Sequence, residues 1–92
     1  AVVVYKGNDT VIWSSDGQCY INAESSPYLA TAGSGDVLAG LIGGFLSQEI
    51  QALDAARLGC YVHSKCGINL GPGLTASDLV RDIPNVIKKI MN

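Results

Sequence analysis

Two helical stretches with an excess of small residues constrain this chain more than any other feature. From Asp36 onward, Val37, Leu38, Leu41, Ile42, Phe45 and Leu46 form a wide apolar stripe at helical spacing. Gly40, Gly43 and Gly44 interrupt it, and each glycine costs about 1 kcal/mol in a helix interior relative to alanine. Close approach of a neighbouring helix or sheet is the expected compensation. Leu53 to Leu70 reads as a second helix, with Ala55, Ala56, Gly59, Cys60 and Gly67 spread over several faces. Such a helix is expected to pack tightly inside a larger structure. Gly71-Pro72-Gly73 stops it.

The rest of the chain offers these helices little to pack on. Ninety-two residues bury only roughly 60–65% of their unfolded surface, enough for one modest core. Ala1 to Tyr5 is a continuous, largely β-branched run without alternation, which suits a strand buried on both faces in a parallel-type sheet. Thr10 to Ser14 and Gln18 to Asn22 alternate, and Ser15-Asp16-Gly17 lies between them, so a hairpin is expected there. Ala23 to Tyr28 reads as a polar loop. Thr75 with Asp78 resembles a capping box opening a short helix to Asp82. Pro84 then suits the first turn of a last helix, where its missing N–H costs little. The expected class is α/β: a buried strand, a β-hairpin, then three or four helices. One strand, a hairpin and two nearly all-apolar helices leave too little mutual surface. Either the chain forms a homo-oligomer or it is the C-terminal piece of a larger α/β enzyme, and the second reading is favoured. Ala1 in place of Met agrees with a chain cut or processed from something longer.

Charge and composition remove several function classes. The net charge is −2 with six Lys and Arg, and the only adjacent basic pair is Lys88-Lys89 at the end of the chain. A nucleic-acid partner calls for a basic patch, so none is expected. The mean hydropathy is +0.27, yet no apolar run approaches the ~18 residues of a membrane span. Cys60 and Cys66 stand six apart, which fits neither a redox CxxC motif nor paired zinc ligands. Buried, reduced thiols and a cytoplasmic location are the expectation. His63, alone on an apolar helix, is expected to be packed and hydrogen-bonded. Trp13 and Tyr20 are read as hairpin packing residues.

Glycine, with 11 residues, is in excess over the usual share of roughly 7%. The densest signal is Thr31-Ala32-Gly33-Ser34-Gly35-Asp36, where loop becomes helix. Backbone N–H groups at Gly33, Ser34 and Gly35 can turn toward one point, and the positive end of a helix dipole adds to them. That is an anion hole suited to phosphate. A carboxylate at Asp36 would repel phosphate. It serves either as a helix N-cap or as a general base that takes a proton from a substrate hydroxyl beside the held phosphate. A Walker A loop is excluded because no lysine follows the glycines. The dinucleotide G-x-G-x-x-G pattern stops at its first half, and a nucleophile elbow would need glycine at position 32.

Leu29 to Gly40, read as L-A-T-A-G-S-G-D-V-L-A-G, resembles the signature of the ADP/ATP-dependent NAD(P)H-hydrate dehydratases, members of the ribokinase-like superfamily. Lys6-Gly7 with Thr10, Asp16-Gly17, Ala55-Ala56 with His63, and Leu74 to Leu79 with Ile83-Pro84 resemble other segments of that family in the same order. The likeness covers nearly the whole chain. It implies that residues 1–92 form the last third of a single ribokinase-like domain with three αβα layers. It further implies a lyase that uses ATP or ADP, with Mg2+, to repair hydrated NADH or NADPH. Asp36 would activate and contact the substrate hydroxyl. Lys6, Gly7, Asn8, Asp9 and Thr10, together with Leu29, Ala30, Thr31, Ala32, Gly33, Ser34 and Gly35, would line the nucleotide. A small-molecule kinase of the same fold, or a nucleotide-binding remnant that needs a partner chain, would carry the same G-x-G-D turn.

Overall fold

The computed structural model describes residues 2–6, 10–22, 29 and 33–91, with the side chains of residues 5, 6, 10, 21, 22 and 91 outside that description. Three strands, β1 (Val2–Lys6), β2 (Thr10–Ser14) and β3 (Cys19–Asn22), form one antiparallel sheet in that order. Val3 faces Trp13 and Ile12 faces Tyr20. The hairpin turn forms where the sequence places it. Gly17 takes the left-handed conformation at φ 90°, which only glycine adopts without strain. The Gly17 N–H donates to the Ser14 carbonyl at 3.1 Å and the Ser14 N–H to the Gln18 carbonyl at 2.9 Å. The Asp16 carboxylate accepts from the Ser14 hydroxyl and, at 3.2 Å, from the Gln18 N–H. These bonds to its charged form hold its pKa below the ordinary value.

Three helices follow: α1 (Ser34–Ser47), α2 (Ala52–Leu70) and α3 (Ala76–Met91). Helix α2 is central and touches all three strands, α1 and α3. Toward the sheet, Ala56 and Cys60 of α2 join Ile12 and Leu38, with Val2, Val4 and Ile42 packed around them. Toward α3, Val62 and Cys66 join Leu29, Leu74, Leu79 and Val86. A helix that serves two clusters must be small-sided, and that accounts for its alanines, glycines and cysteines. Burial, reinforced by the Asp82 carboxylate beside it, pushes the Cys66 thiol up to about 12, so it stays neutral at physiological pH. Cys60 is also buried, while Cys19 is exposed.

Four sequence expectations change here. First, β1 pairs antiparallel with β2 and is covered on one face only. Strand alternation sends Val2 and Val4 toward α2, whereas Val3 and Trp13 are 59% and 51% exposed on the other face. These residues therefore supply two layers, a sheet and the helices on one side of it. Second, α3 is one helix with Pro84 inside it. Leu79 and Val86, on either side of the proline, are buried in the same cluster with Ile83 and Ile87 against it. Pro84 itself is exposed, so the lost backbone bond falls on the solvent side, where water can replace it. Third, the glycines of α1 are not in close contact: a Cβ at Gly40, Gly43 or Gly44 would meet nothing within 4 Å. The close approaches are instead in α2, at Gly59 under Ile42 and Gly67 under Leu29. Fourth, α1 begins at Ser34, two residues before Asp36, with Gly33 as its N-cap. The capping box before α3 forms as expected. The Thr75 N–H donates to Asp78 Oδ2 at 2.9 Å and the Asp78 N–H to Thr75 Oγ1 at 3.2 Å. Among the described residues no helix is long and apolar enough to cross a membrane.

Candidate active site

The glycine-aspartate turn is built by the entry into α1. Gly33 stands at φ 84°, and its carbonyl accepts the Val37 N–H at 3.2 Å. A Cβ on residue 33 would lie 3.1 Å from Ala76 Cβ at the start of α3. Glycine is therefore required twice, for the backbone angle and for the space. With Val37 as the first residue to bond back, the N–H groups of Ser34, Gly35 and Asp36 have no partner within the helix, and the N-cap Gly33 has no side chain to cap them. They form a cluster of donors at the positive end of the α1 dipole. Gly35 and Asp36 are exposed, and among the described residues a Cβ built on Gly35 meets nothing within 4 Å.

Asp36 is the third residue of α1 and is not its N-cap. Its side chain is exposed, at one end of an open groove of about 520 Å3 between α1 and α3. Val37, Leu41, Phe45 and Ile83 line the apolar part of that groove, and Gly40 and Gly44 widen it. A carboxylate at the rim, in the same first turn as the N–H donors, can take a proton from a hydroxyl while those donors hold an anion.

Ser34 differs from its neighbours. It is only 2% exposed, and its Oγ lies 3.0 Å from His63 Nε2 in the middle of α2. The same Nε2 lies 3.1 Å from the Ser34 carbonyl oxygen. A carbonyl can only accept, so Nε2 carries the hydrogen and donates it to Ser34. His63 is itself 2% exposed, packed and hydrogen-bonded as expected. Its link to the glycine turn spans 29 positions, and no local pattern in the sequence announces it.

Of the residues expected to line a nucleotide, Gly7, Asn8, Asp9, Ala30, Thr31 and Ala32 lie outside the described residues, as does the Ala23 to Tyr28 loop. Lys6 and Thr10 face each other across β1 and β2. Leu29 is buried in the α2–α3 cluster, with its side chain over Gly67. Gly33, Ser34, Gly35 and Asp36 are brought together in one turn. Among the described residues no group of three or more His, Cys, Asp or Glu converges to hold a metal ion.

A carbohydrate-kinase family model described as NAD(P)H-hydrate dehydratase matches residues 1–89. The chain belongs to the NAD(P)H-hydrate dehydratase family. The bifunctional NAD(P)H-hydrate repair enzyme Nnr of Moorella thermoacetica is 41% identical over 95 aligned residues, covering 98% of this chain and 18% of that protein. The ADP-dependent (S)-NAD(P)H-hydrate dehydratase of Xanthomonas campestris is 39% identical over 93, covering 100% of this chain and 32% of the relative. The structure of the ADP/ATP-dependent NAD(P)H-hydrate dehydratase from Bacillus subtilis, co-crystallised with ATP/Mg2+, superposes with a TM-score of 0.87 at 34% identity. That match covers 96% of this chain and 34% of the other. The chain thus spans about a third of its single-function dehydratase relatives, and its α/β fold is the ribokinase-like one that the sequence resemblance implies.

Proposed function

We propose that residues 1–92 form the C-terminal part of a single ribokinase-like domain, and that the complete protein uses ADP or ATP to dehydrate hydrated NADH or NADPH. In that reaction the nucleotide's terminal phosphoryl group passes to the hydroxyl on the reduced nicotinamide ring, and the ring then eliminates inorganic phosphate to restore the dihydronicotinamide. Asp36 takes the hydroxyl proton, and the N–H groups of Gly33, Ser34 and Gly35, of which those of Ser34 and Gly35 belong to the donor cluster described above, stabilise charge on the phosphoryl group in flight. Lys6 to Thr10 and Leu29 to Gly35 form the nucleotide side of the site. The observation that carries this reading is the donor cluster of the Gly33 turn beside the exposed Asp36 carboxylate, in a chain of this family.

The described side chains do not fit a protein-built magnesium site. Mg2+ would travel on the nucleotide phosphates, and no step here is assigned to it. The exposed Val3 and Trp13 face and the open glycine face of α1 are the surfaces that the remaining part of the domain, or a second copy, would cover. A cytoplasmic setting, where thiols stay reduced, is part of the same proposal.

Asp36→Asn in the complete protein tests the reading. Loss of a general base lowers turnover by about 10²–10⁴, while nucleotide affinity stays close to wild type because the N–H donors remain. Wild-type turnover in this variant would reduce Asp36 to a favourable charge at a helix start.

A further inference from the structure

We infer that His63 is a positioning residue that holds the phosphate turn in register through Ser34, an inference that rests on the proposed role of that turn. Two bonds carry it. One Nε2 hydrogen reaches both the carbonyl oxygen and the hydroxyl oxygen of the first residue of α1, at 3.1 and 3.0 Å. A single bond to a side chain would leave the backbone free to shift. The bond to the carbonyl fixes the peptide unit that leads into Gly35, and so the direction in which the Gly35 N–H points. Because Ser34 Oγ accepts from the ring, the serine's own hydroxyl hydrogen is not consumed by His63.

The location makes the geometry consequential. His63 and Ser34 are each 2% exposed, between the apolar cluster on the sheet side of α2 and the one on its α3 side. An imidazole placed there is costly unless its polar atoms are bonded, and an aliphatic side chain would fill the space without that cost. The donor links the centre of α2, the best-packed helix of the chain, to the exposed end of α1 that presents the anion-binding N–H groups. Donors that stabilise a transferring phosphoryl group must be held within a fraction of an ångström, since roughly 1 Å of misplacement can cost about 10²-fold in rate. The effect therefore belongs to turnover and not to nucleotide capture, which tolerates a looser turn.

Steady-state kinetics of the complete protein separate this role from simple packing. His63→Leu keeps the volume and removes the donor, and His63→Gln restores an N–H close to the Nε2 position. The expected result for His63→Leu is a kcat lower by about 10–100-fold, with the KM for ATP within about threefold of wild type. His63→Gln is expected to recover most of that kcat. Urea midpoints are to be recorded for both, with assays run well below each transition. A folded His63→Leu with wild-type kcat, or a kcat loss equal in the two variants, overturns the positioning role. Should His63→Leu not fold, His63→Phe tests the same link, because it keeps a flat ring and removes both bonds to Ser34. A folded His63→Phe with wild-type kcat also overturns the role. Asp36→Asn distinguishes this failure from failure of the proposed function. Lost turnover in Asp36→Asn with normal turnover in His63→Leu removes only the His63 role, whereas normal turnover in Asp36→Asn removes the assignment of the turn itself.

Discussion

Gly59 of α2 lies directly beneath Ile42 of α1: a Cβ on residue 59 would stand 2.6 Å from Ile42 Cγ1 and 3.5 Å from the Ile42 backbone nitrogen. The two helices meet at a point with room for a hydrogen atom and nothing larger. Gly59→Ala gains about 1 kcal/mol of helix propensity but forces overpacking that typically costs 1–3 kcal/mol. The net expectation is a lower urea midpoint. Ile42→Ala removes the obstructing carbon, so the double variant should be less destabilised than the sum of the two singles. Additive losses would show that the helices separate at no cost.

Gly33 and Gly35 should respond oppositely to alanine. At Gly33 the φ of 84° and the neighbouring Ala76 make alanine strained, with a stability loss of about 1–2 kcal/mol. At Gly35 the backbone is helical and a Cβ meets nothing, so stability should hold or rise slightly. If phosphate closes on this turn, however, a methyl group at residue 35 stands in its approach. Gly35→Ala is therefore expected to lose activity while keeping its thermal midpoint. Retained activity would place the ligand elsewhere.

What could be read from the sequence divides along the range of the interactions. The hairpin, the Thr75–Asp78 box and the loop-to-helix position of the Gly33 turn each depend on residues within a few positions of one another, and each forms as read. The continuity of α3 through Pro84 did not show, because it depends on Leu79 and Val86 sharing one cluster, a fact of tertiary packing. The glycines of α1 lack the close neighbour expected of them, whereas Gly59 and Gly67 of α2 pack as tightly as expected. A helix pattern records that a residue is small, and only the neighbouring element decides whether the space is used. His63 was read correctly as packed, but its partner 29 residues away could come only from the fold.

Acid should weaken the start of α3. Bonds from Thr75, chiefly its backbone N–H, hold the Asp78 pKa below the ordinary 3.8, and Arg81 adds a smaller pull. A carboxylate with a depressed folded pKa contributes stability above its unfolded value, and the contribution is lost as pH falls through the folded value. Asp78→Ala should therefore unfold earlier than wild type at pH 7, with the gap closing as pH drops below about 4. A gap that persists at pH 2 would mean that the carboxylate charge is not what stabilises this cap.

The 92-residue chain by itself should bind ATP weakly or not at all, and should show no dehydratase activity. Phosphate contacts in open water contribute little without a dry, shaped pocket. Val3, Trp13 and Val80 are all more than half exposed, so self-association is expected in the isolated chain. Calorimetric titration with ATP and magnesium, alongside size-exclusion chromatography, checks both statements. Tight binding by a monomer would overturn them.

The Val3–Trp13 pair on the uncovered side of the sheet also gives the chain its own optical probe. Trp13 is the single tryptophan of these residues, and it sits half in solvent at the centre of the surface that any further layer must cover. Its fluorescence colour will follow that covering, red-shifted while the ring meets water and blue-shifted once another element lies across β2. Covering of this face in the 92-residue chain, by a second copy or by a tryptophan-free partner, can thus be followed by emission wavelength, without a label and without turnover.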